Sequence, residues 1–405
     1  MQFAILFLTA FTPTSIQQTD QPEKKDYGAL IKSLDSADRE TRLDAINALA
    51  DIGPPAAKAI PGLIKILGEK DEELRLSAAL ALGKMGKDAV MPVAKLLASD
   101  DLDTRYYALS ALGWLGTDAK ATAPDVLKAL ADKNDGIRAK AAFALGRIGT
   151  DPKDAIKPLL KMLTEKNDAV RSSAGEALGR FKKAAVPALV EALKDDSVAM
   201  KLEAARALGE IGPDAAGGLV ALEFAATDAS DQLAEESIKA LVKIGNPARE
   251  TMRDMLLENY AKSHGRTIVN LQKLGSPAGP FLADALTTKS LNVRRQSAQA
   301  LATLQLKEES VLPGLTQALR DPDREVRKST LQALVAVAVG AQRAIPNLIA
   351  NLKDKDVEIR VFTLGVLREI PGESDAVVLA VTPLLQDPDE NVRKLAKEVL
   401  AFQGK

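Results

Sequence analysis

The chain has no cysteine in its 405 residues and a single histidine, His264. The first absence excludes a disulfide framework, a thiolate nucleophile and a lipid anchor on cysteine. The second leaves no basis for a histidine-rich metal site. Aromatic residues make up 3% of the sequence, with one tryptophan, so the fold must be built on thin aliphatic layers and not on a large aromatic core. Neither sign of charge dominates: 54 Lys and Arg stand against 55 Asp and Glu, for a net charge of −1. That balance removes the electrostatic case for a nucleic-acid or anionic-membrane partner.

A long apolar segment is lacking at the N-terminus too. The run Phe3–Phe11 falls short of the ~20 residues that a bilayer span wants. Thr12, Pro13, Thr14 and Ser15 follow it, then a polar stretch to Lys25. We read residues 1–16 as a signal peptide and 17–26 as a polar linker, which implies export to a periplasmic or extracellular space. The n-region departs from the usual pattern in having no Lys or Arg. The alternative is an apolar cap on a cytoplasmic protein.

What the chain has in quantity is a repeated phrase: a helix-forming run ending in Leu, then Gly, a charge, an aliphatic residue and Gly. It occurs at Ala79–Gly86, Ala142–Gly149 and Ala205–Gly212, and with one glycine lost at Ser237–Gly245. Eleven residues before the final glycine, or its counterpart, stands a ladder position occupied by Arg42, Arg75, Arg105, Arg138, Arg171, Arg294, Arg327, Arg360 and Arg393. The same register places Lys201, Ala234 and His264 in the gaps, with steps of 30 or 33 residues between all twelve positions. Seven residues after each is a leucine, from Leu49 to Leu400. A period of this length sustained to the C-terminus specifies a stacked repeat protein and leaves no separate catalytic domain.

Each repeat reads as two helices. Leucines at spacings of three and four follow a proline in the first helix, at Pro61, Pro92, Pro124, Pro158, Pro187, Pro280, Pro313, Pro346 and Pro383. Proline suits a first helical turn because its missing N–H would have no helical partner there. The connecting turn carries Asp, as in Asp321/Asp323, Asp354/Asp356 and Asp387/Asp389, suited to accepting N–H bonds where the second helix begins. The second helix starts near the arginine and ends at the glycine phrase, whose glycines suit a left-handed C-cap.

Paired helices with Pro in the first, Asp in the turn and Val-Arg opening the second resemble HEAT repeats. The Ala-Leu-Gly-x-Ile-Gly ending resembles the subtype described in phycobilisome lyases. Tetratricopeptide and ankyrin signatures are absent. The resemblance covers residues 27–405 and implies an all-α superhelical solenoid of about twelve HEAT-like helix pairs, with the recurring Arg and Asp forming a structural ladder and no catalytic role. Similar repeats serve scaffolds, lyase subunits and deoxyhypusine hydroxylases. The hydroxylases build a di-iron site from His-Glu pairs, and this chain has no His-Glu pair: His264 is followed by Gly265. The expectation is therefore a monomeric, non-enzymatic scaffold for a protein or peptide, with no cofactor, metal, nucleic acid or membrane anchor. A lyase-type enzyme and a nucleic-acid module similar to HEAT-like DNA glycosylases are the alternatives. Glu176, Glu203, Glu210 and Glu236 would interrupt the basic groove that the latter needs.

Numbered from the ladder position, offsets three, four, seven and ten of the second helix share an apolar face, and offsets two, five and nine lie opposite, by the 100° turn per residue. In HEAT-like solenoids the second helices line the concave side. Most open-face positions are polar, such as Asp44, Asn47 and Asp51. The third and fourth repeats instead carry Tyr107, Trp114 and Phe143, with Ser110 between, Lys84, Lys140, Arg147 and Arg180 at the rim, and Leu80 in the repeat before. We expect these residues to form an exposed partner-binding cluster. The alternative packs Trp114 over the neighbouring helix and Tyr107 into a locally wide groove. Between about 213 and 281 the repeats degenerate, which makes that stretch a candidate hinge. Residues 371–376 should form a surface loop.

Overall fold

The computed structural model describes residues 27–256, 264–371 and 374–403. The expected signal peptide and linker, 1–26, lie outside the described residues, as do Gly372 and Glu373 of the expected loop. Among the described residues there are helices and turns and no strand. Twelve helix pairs follow one another, from Gly28–Ser33 with Arg39–Ile52 to Asp375–Val381 with Glu390–Gln403. The all-α solenoid is therefore what the chain forms. Second helices pack against the second helices of the adjoining units and, in every unit but that of His264–Leu274, closely against their own first helix. The apolar stretch Arg324–Asn351 is long enough to cross a membrane by composition alone, but it is a second helix, a turn at Ala338–Ala344 and the next first helix.

Local chemistry sets the boundaries of each unit. Four residues before the ladder position, Asp38, Asp71, Asp101, Asn134, Asn167, Ser197, Ser230, Ser290, Asp323 and Asp356 cap the second helices with a side-chain oxygen. Asp101, for example, accepts from the Thr104 N–H at 2.7 Å. Such a cap satisfies an orphan donor of the first turn. Prolines 61, 124, 187, 280, 313 and 346 sit in the first turn of their helices as expected. Pro92 and Pro158 do not: their helices begin earlier, at Lys87 and Pro152, so both lie inside. Pro383 opens a short 3-10 turn.

The invariant leucines at offset seven fill the core. Leu49, Leu82, Leu112, Leu145, Leu178, Leu208 and Leu241 are wholly buried, whereas Leu400, in the last unit, is only partly so. The two glycines of the recurring phrase do different jobs. The second, at offset eleven, has φ between 60° and 76° at Gly53, Gly86, Gly116, Gly149, Gly212, Gly245 and Gly275. Where caps are described, its ψ lies between −133° and −156°. This is a region that only glycine enters freely, not the left-handed helical one expected. Lys182 and Gln305, the only non-glycine residues with positive φ among those described, occupy the same offset. The first glycine, at offset eight, is a notch. A Cβ there would run into the next unit: Trp114 at Gly83, Phe143 at Gly113, Ala177 and the Arg180 stem at Gly146, Ala240 and the Lys243 stem at Gly209.

The arginines form the expected ladder. Arg42, Arg105, Arg138, Arg171, Arg294, Arg327, Arg360 and Arg393 each donate Nη1 to the carbonyl six residues earlier, at 2.7–3.0 Å. Several also reach the carboxylate 27 residues ahead: Arg294 to Asp321 at 2.6 Å, Arg327 to Asp354 at 2.7 Å and Arg360 to Asp387 at 2.9 Å. One residue thus accepts the previous unit's arginine on its side chain and its own unit's arginine on its carbonyl. In each Asp-x-Asp the first Asp is this acceptor and the second is the cap.

Candidate functional site

The second helices Glu72–Lys84, Leu102–Leu115, Asp135–Arg147 and Asp168–Arg180 carry all seven residues expected to bind a partner. Trp114 lies over the notch at Gly83 and Phe143 over the notch at Gly113. Their rings meet edge to face, 6.5 Å between centroids. Two cations flank the pair. Arg147 stacks on Phe143 at 5.1 Å, and Lys140 lies 5.4 Å from the same ring and 4.9 Å from that of Tyr106. Cation–π placement of this kind holds a charged head in position. Arg147 Nε donates to the Gly113 carbonyl at 3.1 Å, which fixes the guanidinium further and leaves its Nη groups without a hydrogen-bond partner among the described residues.

Tyr107 requires a correction. It is 6% exposed and cannot belong to an open binding surface. The ladder explains why. The residue that should accept Arg75 is Ser99, which has no carboxylate. Arg75 pairs with Asp103 instead and lies over the Tyr107 ring at 5.3 Å. Tyr107 is buried beneath the Arg75 guanidinium, and its burial raises the pKa of its hydroxyl. Ser110 is buried as well. Trp114 and Phe143 are half-buried and packed over neighbouring helices. Lys84 and Arg180 are exposed, and Lys140 and Arg147 partly so. Tyr106, at offset one, escaped the periodicity argument because that offset falls between the two faces. Leu76 and Leu80, on the preceding helix, are exposed and extend the apolar strip by one unit.

The electrostatics are uneven. Lys84 pairs with Asp51 at 3.3 Å. Among the described residues, no carboxylate lies within ion-pair distance of Lys140, Arg147, Arg180 or Lys182. Burial and then the nearby Arg180 charge lower the Arg147 pKa from its ordinary value. Beyond Arg180 the surface opens into a cleft of about 490 Å3 lined by Glu176, Arg180, Lys182, Glu203, Arg206 and Glu210, among others. There the charges pair: Arg206 holds Glu203 at 2.8 Å, and Lys243 holds Glu210. Among the described residues no group of three or more His, Cys, Asp or Glu is placed to hold a metal ion. His264 opens the helix His264–Leu274.

Comparison with known proteins returns the family described as HEAT repeats, matched over residues 28–101, 90–179, 156–222 and 279–365. No curated protein matches the sequence. Among solved structures, yeast importin-beta (Kap95p) is similar at 14% identity and a TM-score of 0.48, over 94% of this chain and 61% of that one. The karyopherin Kap121p bound to the extreme C-terminus of the protein phosphatase Cdc14p is similar at 14% identity and a TM-score of 0.44, over 93% and 45%. The chain thus spans less than two thirds of the length of these proteins.

Proposed function

The chain belongs to the HEAT-repeat family, and we propose that it is a non-enzymatic scaffold that holds a segment of a partner protein along its second-helix face. The observation that carries this reading is the half-buried Trp114–Phe143 pair beside Lys140, Arg147 and Arg180, cations that no carboxylate of the described chain neutralises. Rigid aromatic area next to oriented guanidinium groups is the composition of interface hot spots. Second helices approach one another closely at glycine notches such as Gly83, Gly113, Gly146 and Gly209, which supports placing them on the concave side. The phycobilisome-lyase-like subtype, export after removal of residues 1–16, a monomeric state and the absence of nucleic acid or a membrane anchor belong to the same proposal.

The test is site-directed photocrosslinking in the native cell. Crosslinkers at exposed second-helix positions, Asn47, Lys84, Glu210 and Lys243, should capture one common protein. Crosslinkers at the exposed first-helix positions Lys157 and Glu191 should not. Capture from the first-helix positions alone would reverse the proposed face. For export, residues 1–25 fused to a reporter active only outside the cytoplasm should give signal, and mature protein retaining Met1 would refute the leader.

A further inference from the structure

The scaffold reading leaves the chemistry of the bound segment open, and three features of one surface narrow it. The first is an apolar strip. Leu76 and Leu80 on Glu72–Lys84, Trp114 on the next second helix and Phe143 on the one after run in order along the stack. The second is a set of cations at the far end of that strip. Arg147 is held from two sides, by the Phe143 ring at 5.1 Å and the Gly113 carbonyl at 3.1 Å. The Arg180 stem passes over the notch at Gly146, the residue next to Arg147 in the chain. Lys140 sits over two rings. Lysine and arginine in the last turn of a helix complement its dipole, and this accounts for one cation per helix. It does not account for two adjacent, like-charged guanidinium groups left without a counter-ion on a face where Lys84, Arg206 and Lys243 each have one. The third is the cleft beyond Arg180, whose wall carries Glu176, Glu203 and Glu210.

We propose that this surface takes an acidic, extended peptide segment of a partner protein, with a bulky apolar side chain seated on Trp114 and Phe143 and a carboxylate in the Arg147–Arg180 fork. This rests on the scaffold reading and specifies its occupant. The planar Arg147 guanidinium, fixed by a ring and a carbonyl, favours bidentate pairing with a carboxylate, and Arg180 adds a second positive charge. Geometry also sets a spacing. Packed helices stand about 8–10 Å apart, and an extended peptide rises about 3.3 Å per residue. Residues about three apart in the peptide therefore meet successive second helices, so the carboxylate should lie about three residues from the apolar anchor. A nucleic-acid strand fits less well. Its uninterrupted phosphates would run from Arg180 onto Glu176 and Glu210, whereas a peptide can place its charges singly.

The test uses the full chain and short synthetic peptides carrying phenylalanine with two glutamates centred three residues away. Trp114, the sole tryptophan, reports occupancy directly. Saturable change in its emission is expected with this peptide and not with its lysine-for-glutamate counterpart. Arg147→Gln and Arg180→Gln should each weaken binding about tenfold, the scale of a lost charge-assisted pair. Lys157→Gln, on a first helix, should leave it unchanged. Moving the glutamates next to the phenylalanine should also weaken it. Peptide binding that ignores Arg147 and Arg180, no binding at millimolar peptide, or tighter binding of a single-stranded oligonucleotide would each overturn the inference. If the second-helix crosslinkers still capture a protein in that event, the scaffold survives and only its proposed occupant falls. If they capture nothing, both fall.

Discussion

Gly113→Ala is the sharpest test of the notch packing. In the interior of Leu102–Leu115, exchanging Gly for Ala should by itself stabilise by about 1 kcal/mol. The added Cβ, however, would stand 2.6 Å from Phe143 Cε1 and 2.9 Å from its Cδ1, far inside the ~3.5–4.0 Å of normal carbon contact. Moving the ring costs about 1–3 kcal/mol of overpacking and disturbs its contacts with Trp114 and Arg147. The expected net change is a loss of about 0–2 kcal/mol. In a Phe143→Ala background the obstruction is gone, and the nearest remaining atom is the Ala144 Cα at 3.4 Å. There Gly113→Ala should recover most of the helical gain, giving a coupling energy of about 1–3 kcal/mol in a double-mutant cycle. Gly365, inside Val357–Glu369, is the internal control: nothing lies within 4 Å of its would-be Cβ, so Gly365→Ala should stabilise by about 1 kcal/mol. Urea denaturation followed by circular dichroism measures all four variants. Equal gains at Gly113 and Gly365, or a Gly113 effect indifferent to Phe143, would refute the notch.

Leu145→Ala should cost about 2–5 kcal/mol by opening a cavity between units, and Leu400→Ala clearly less, because that side chain is only partly buried in the last unit; matched denaturation curves would contradict nearest-neighbour stacking. Ser297 Oγ is buried without a partner, and since removing an unpaired hydroxyl is neutral or favourable, Ser297→Ala should leave stability unchanged or raise it by up to about 1 kcal/mol. A larger loss would mean that the hydroxyl has a partner. The Arg295 hydrogen bond to Asp323 brings that carboxyl down to about 2, below its ordinary ~3.9. Its ionised form therefore stabilises the fold above about pH 4, and this is lost as pH falls towards about 2. Asp101, lowered first by the Thr104 hydroxyl, acts in the same direction. Urea midpoints should drop over that window, and a smaller drop in Asp323→Asn would show this residue's share.

Period and register were legible in the sequence because each is carried by residues with a single structural use. The offset-seven leucine can only be core, and the arginine at fixed spacing can only be architecture. The division of labour between the two glycines was not legible, since both lie in one phrase and either could end a helix. Only the positive φ of Gly86 and the crowding at Gly83 separate them. At the site, helical periodicity placed Trp114 and Phe143 on the open face with Lys140, Arg147 and Arg180, but it misplaced Tyr107. The signal that could have found this was Ser99: the missing acceptor there predicts that Arg75 needs another neighbour, and Tyr107 is the large residue within reach. A second pattern also went unread. Offset three is alanine in the first six units and becomes Ser237, Thr267, Ser297, Thr330 and Thr363 in the next five. All five are buried, and only the Thr363 hydroxyl has a hydrogen bond, to the Ile359 carbonyl at 2.6 Å.

The degenerate stretch shows what the ladder is for. Where Ala234 replaces the arginine, the carbonyls that it would have held still need donors. Arg266 supplies one from the following unit, donating to the Asp228 carbonyl at 2.9 Å; it also reaches the Ala226 carbonyl at 3.3 Å and pairs with Asp231 at 3.1 Å. Elsewhere an arginine binds its own turn and reaches 27 residues forward to a carboxylate, as Arg294 does; here the tie runs backward over 38–40 residues. Arg249 to Asp284 at 2.6 Å and Lys273 to Glu235 at 2.9 Å add further links between units. At this turn a donor from the following unit stands in for the missing arginine and keeps a backbone carbonyl paired. A loss of the repeated residue is compatible with an intact connection when a donor elsewhere answers the same carbonyl. That makes loss of consensus alone a poor criterion for a hinge in this chain, and shifts the search for flexible joints to units whose turn carbonyls have no donor at all.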